Sequence, residues 1–188
     1  MNIELKMTVL GYSRQRVLLH WISAMVIVWT LASGFYAAGI DVPAPIKHRV
    51  AFINVSLTTV FIPVFFWRFF IFAWHLQHMN VLASALMERL VLLAHVLIYF
   101  TVSLVLITGV LMMDRPIDVF GLFQIAQPLD DADLLALFTT VHVWACGVLA
   151  ALIALHVGAV IVHEARGHRI LRRMSLRLCG NRSNERFE

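Results

Sequence analysis

Three histidines stand in one stretch of this chain at a spacing that can do chemistry. They are His142, His156 and His163, in TVHVWACGVLAALIALHVGAVIVHE. Fourteen residues separate the first two, about 21 Å along an α-helix. Fourteen steps of about 100° return to nearly the same face, and His163 continues the stripe seven residues later. A fourth histidine, His20 in LLHW, opens another apolar run. An imidazole surrounded by hydrocarbon needs a partner. Each one alone could be a hydrogen bond to a neighbouring helix. Three on one face, with a fourth at a matching depth, favour iron. Haem b takes two axial imidazoles from facing helices, and its macrocycle fills the gap between them. Zinc matches less well, because no set of acidic and thiol ligands accompanies the histidines.

The elements that must position these rings are apolar helices. The chain has 188 residues, of which 61% are hydrophobic, and its mean hydropathy is +0.83. A soluble domain is about 45–50% apolar, so lipid is the expected solvent. A helix needs roughly 20 apolar residues to cross hydrocarbon. Four stretches qualify, at about 15–39, 50–74, 89–113 and 135–163. The sequence therefore predicts an all-α fold, an integral membrane antiparallel four-helix bundle. Its parts are an N-terminal segment 1–14, a transmembrane domain 15–163 and a basic tail 164–188. The first apolar run, Val17 to Ile40, is too long for a signal-peptide core of about 7–15 residues.

Charge sets the expected orientation. Lys6, Arg14, Arg16, Arg68, Arg89 and seven tail arginines (Arg166, Arg169, Arg172, Arg173, Arg177, Arg182, Arg186) fall on one side. Lys47, Arg49 and Arg115 fall on the other. Both termini are then cytoplasmic by the positive-inside rule. The tail reads as an anchor on anionic lipid rather than a nucleic-acid site, since its charge abuts a span. Cys146 in span four and Cys179 in the tail lie at different levels, so no disulfide is expected.

Depth matching pairs the histidines. His20 at the start of span one and His156 near the end of span four can face each other at the cytoplasmic level. His142 lies near the outer face, and its partner should come from the start of span two, where KHRVAFINVSLTTV offers His48 and Asn54. His95 in LLAHVLIYF could line the inner haem, line a quinone pocket or bond a neighbouring helix. His75, His78 and His168 read as surface or tail residues.

RQRVLLHWISA, NVSLTTVFIPVFFWRF, LAHVLIY, VHVWACGVLAALIALHVGAVIVHE and HRILRRM, in this order, resemble the bacterial cytochrome b561 family from about Gln15 to Met174. The resemblance implies a four-helix inner-membrane cytochrome that binds haem b and exchanges electrons with quinone. It implies iron ligands at His20 and His156 for the inner haem and at His142 for the outer one. Its pattern has a histidine fourteen residues before the arginine ending span two. Counted back from Arg68, that position holds Asn54. The second haem is then absent, five-coordinate on His142, or ligated by His48.

The expected function is electron transfer between the quinone pool and a redox partner protein or small oxidant or reductant. The alternatives are a haem-bearing anchor subunit of a larger redox complex and a superoxide:ubiquinone oxidoreductase. The loop DRPIDVFGLFQIAQPLDDAD carries five aspartates and one arginine. That sign opposes collection of an anion, and the loop reads as solvated. Arg16, with Arg14 and Arg166 or Arg169, could pair with haem propionates or phospholipid. Expected partners are quinone, the lipid bilayer, a redox protein and a second copy of the chain as a homodimer. A proton relay lacks acidic residues in the central spans.

Overall fold

Four long helices dominate the computed structural model, which describes residues 14–77 and 86–167. They are α1 (Arg14–Gly39), α2 (Ala44–Gln77), α3 (Leu86–Leu111) and α4 (Ala132–Ala165). Two short strands, β1 (Ile117–Val119) and β2 (Phe123–Ile125), lie between α3 and α4. All four helices are long and apolar enough to cross a membrane. Protein buries only 11% to 17% of their most apolar windows, so most of their apolar surface is left for lipid. Leu18, Trp29, Phe66, Phe100, Trp144 and Leu155 are among the residues facing outward.

Helices α2 and α4 each have 34 residues, about 51 Å. Both extend past the apolar windows read from sequence. Asp131 caps α4, its carboxylate accepting from the Asp133 and Leu134 backbone N–H groups at 2.9 and 3.0 Å. This satisfies two of the donors that every helix start leaves open. At the other end Gly167, at φ +85°, donates to the Glu164 carbonyl. Helix α2 runs continuously through Pro63.

Helix α1 packs chiefly on α2, and α3 on α4. The two pairs meet through a core of Phe61 and Phe65 from α2, Tyr99 and Val102 from α3, and Leu149 from α4. Val26, Ile27 and Leu31 of α1 pack against it. Small polar residues bring helices close without losing hydrogen bonds. Buried Ser23 donates to the Leu19 carbonyl at 2.7 Å, and buried Thr101 to that of Leu97 at 2.8 Å. Such residues are the usual interface currency of helices in lipid.

The connection between α3 and α4 keeps most of its aspartates exposed, and it also has local structure that the sequence reading did not include. It folds as an antiparallel hairpin with Ile117 opposite Ile125 and Val119 opposite Phe123. Ile117 and Val119 are buried, while Asp118 between them faces the other way. Alternation of the side chains explains this, since one face of a strand can pack while the other stays wet. Phe120 and Gly121 both have positive φ, as primed hairpin turns require. Phe120 is held there from two sides. Its N–H donates to Ser56 Oγ at 3.0 Å, and the Gly121 N–H donates to the Asp118 carboxylate. Fully buried Ser56 in turn donates to the Asp118 carbonyl at 3.0 Å. The hairpin is thereby fastened to α2.

Candidate functional site

At the end of the bundle where α1 begins and α4 ends, here the termini end, all four helices contribute to one polar cluster. Helix α1 supplies His20, α2 Arg68, α3 His95 and Tyr99, and α4 His156. The Arg68 guanidinium lies 3.0 Å from His20 Nδ1 and 5.4 Å from the centre of the Tyr99 ring. The His95 and His156 rings meet edge to face with centroids 5.3 Å apart. His20 and His156 are both within electrostatic range of Arg68 and His95. His95 Nδ1 reaches the Val91 carbonyl at 2.7 Å. The carbonyl can only accept, so Nδ1 carries the proton and Nε2 is the acceptor. Trp21 closes one side of His20, with ring centroids 5.8 Å apart.

Arg68 corrects the sequence reading, which counts it among the charges of the cytoplasmic side and takes it as the end of span two. Helix α2 continues nine residues past it, because the run Phe69–Trp74 is as apolar as what precedes it. Arg68 therefore lies inside the bundle, and the charge bias between the two sides keeps its sign without it. Arg68 and Tyr99 are the site residues that sequence reasoning missed. The available signal was a lone cation within VFFWRFFIFAW, since a charge in hydrocarbon faces a partner.

The remaining candidates fall around this cluster or outside it. Arg16 is exposed, one turn before His20. Arg166 is exposed at the end of α4, and His163 is partly buried two turns beyond His156. His75 is exposed. His78, His168, Arg169 and Cys179 lie outside the described residues.

At the hairpin end the polar groups are divided between the two helix pairs. His142 Nδ1 lies 3.1 Å from both Thr108 Oγ1 and the Val105 carbonyl on α3. Its Nε2 is 3.5 Å from Cys146 Sγ, one turn on. Gly109 lets the ring approach α3, because a Cβ there would stand 3.1 Å from His142 Cε1. Asn54 is partnered on the opposite pair. Its Oδ1 accepts from Ser33 Oγ at 2.9 Å, and its Nδ2 donates to the Thr30 carbonyl at 3.4 Å. A cavity of about 50 Å³ separates His142 from Thr58, Thr59 and Ile62 of α2, with Ile117 of the hairpin on its wall. His48 lies in a fully exposed stretch, residues 43–49, at the start of α2.

The two ends fit a haem differently. The termini end offers three imidazoles from three helices, one with Nδ1 donating to a carbonyl, the usual second contact of an iron-bound histidine. It also offers a cation for a carboxylate. The hairpin end brings one imidazole, which faces Thr58, Thr59 and Ile62 across the cavity, while the Asn54 amide is bonded to α1. Among the described residues, the polar contacts of His142 are with Thr108, the Val105 carbonyl and Cys146, and none is a second imidazole.

Four apolar helices carrying a cluster of imidazoles between them define a membrane cytochrome of the b type. The family model for prokaryotic cytochrome b561 matches residues 11–175, and the chain belongs to that family. It is therefore a multi-pass membrane protein that binds b-type haem and transfers electrons. No curated protein matches the chain.

Proposed function

We propose that this protein carries electrons between the quinone pool and a redox partner through one haem b per chain, held at the termini end by His20 and His156. The observation that carries this reading is the convergence of His20, Arg68, His95 and His156 from four separate helices. Bound there, haem b supplies a one-electron iron couple. The chain's own residues do the rest. His20 and His156 would be the axial ligands, on the first and last helices. The Phe61, Phe65, Tyr99 and Leu149 core beneath them keeps water out. Trp21 and His95 orient the rings they touch. The termini face the cytoplasm in this reading, so electrons enter and leave near that side.

Haem b content per polypeptide, by pyridine haemochrome on detergent-purified protein, tests the proposal. One haem with a low-spin ferrous spectrum supports it. Two haems would mean that His142 has found a second ligand, and none would end the reading.

A second reading is a haem-bearing anchor subunit of a larger redox complex. It is favoured by the hairpin tip, where Phe120, Leu122, Phe123 and Ile125 stand exposed although the connection is otherwise acidic. Copurification of a stoichiometric redox subunit, lost on Leu122→Asp, would favour it. A protein that purifies alone and reduces or oxidises a soluble quinone analogue would favour the electron carrier.

A further inference from the structure

We infer that Arg68 is a haem-binding residue, whose guanidinium holds a propionate carboxylate of the inner haem. The inference rests on the haem reading above and concerns what Arg68, one member of that cluster, binds.

Arg68 is a permanent cation inside an apolar helix. Among the described residues no carboxylate reaches it; Asp114, which pairs with Arg115, lies at the far end. Its contacts are His20 Nδ1 and Tyr99, whose ring it overlies and whose neutral hydroxyl it also reaches. Neither carries negative charge. A cation in hydrocarbon without a counter-charge is costly, and such residues mark functional sites.

The contact with His20 is also incompatible with iron on the same ring. A guanidinium has five N–H donors and no acceptor, so His20 Nδ1 must be the acceptor. A neutral imidazole has one N–H. If iron takes the Nε2 lone pair, the proton sits on Nδ1, which then donates. Two donors would face each other at 3.0 Å. An Arg68–Nδ1 bond and an iron–Nε2 bond therefore exclude one another, and Arg68 must turn to another acceptor when His20 binds iron. Haem b brings two carboxylates and little else that can accept a charged fork. Guanidinium and carboxylate match in a bidentate pair. Arg68, already beside the ring of one proposed ligand, needs only to exchange an imidazole nitrogen for a carboxylate oxygen.

The test uses purified holoprotein and the rate of haem transfer to excess apomyoglobin. Arg68→Gln should lose haem b about tenfold faster than wild type, the worth of one charge-assisted hydrogen bond. Its low-spin spectrum should persist until loss. With protein reloaded with haem dimethyl ester, whose carboxyls are uncharged, the order should reverse. Wild type then buries Arg68 beside no anion, and Arg68→Gln does not. Arg68→Lys keeps the charge without the fork and should fall between the two for haem b. If Arg68→Gln does not accumulate, Arg68→Lys against wild type carries the same comparison. Equal loss of haem b from wild type and variant overturns the inference, as does the same ratio with both haems. Failure of the ligand reading is seen separately: a low-spin haem retained in His156→Ala would remove His156, whatever Arg68 does.

Discussion

Ser33 on α1 donates a hydrogen bond to Asn54 on α2 at 2.9 Å, at the position where the family pattern places a histidine. The amide is turned toward α1 and joins the first two helices. Asn54→Ala should leave haem content and spectrum unchanged. It should lower stability by about 1 kcal/mol, the usual worth of an interhelical hydrogen bond in a membrane. Unfolding in detergent micelles and pyridine haemochrome measure the two effects. A changed haem spectrum would make Asn54 part of a haem site.

His156 and His95 face each other across α3 and α4, and only one is assigned to iron. His156→Ala should abolish the low-spin ferrous spectrum. His95→Ala should keep haem bound with its spectrum little altered. The opposite pattern would give the ligand role to His95, whose Nδ1 is already engaged with the Val91 carbonyl.

Ser56 ties the hairpin to α2 through two bonds. Ser56→Ala leaves the Phe120 N–H without its partner, a loss of roughly 1–3 kcal/mol when such a group stays buried. Amide exchange at Phe120 should accelerate at least about fivefold, the equivalent of about 1 kcal/mol, while exchange in the centre of α3 stays as in wild type. Unchanged protection at Phe120 would show that strand pairing alone holds the turn.

Gly109 gives His142 its place against α3. In Gly109→Ala the new methyl would lie 3.1 Å from the ring, so the imidazole or the helix must shift. The expected cost is about 1–3 kcal/mol of stability, as for overpacking elsewhere. Haem content should stay at the wild-type value, because His142 holds no haem in the proposed function. Loss of a haem in this variant would bring His142 back as a ligand.

Four membrane helices, their antiparallel order and the face shared by His142 and His156 could be read directly from the sequence. Hydrophobic length and helical period are local properties, set by residues a few positions apart. The family pattern was legible for the same reason, as short motifs in a fixed order. What needed the tertiary structure was every relation between helices. Arg68 meets His20 across 48 positions of chain, and Ser56 meets the hairpin across more than 60. No local pattern encodes such a meeting. The division of His142 to α3 and Asn54 to α1 was equally hidden, because a polar side chain in lipid takes whichever partner the packing brings within reach. The hairpin escaped notice because its turn, Phe-Gly, lacks the usual Asn-Gly or Asp-Gly chemistry, and Ser56 supplies from another helix what the turn residues do not. Sequence thus determined which groups are available in the membrane, and packing decided which of them face one another.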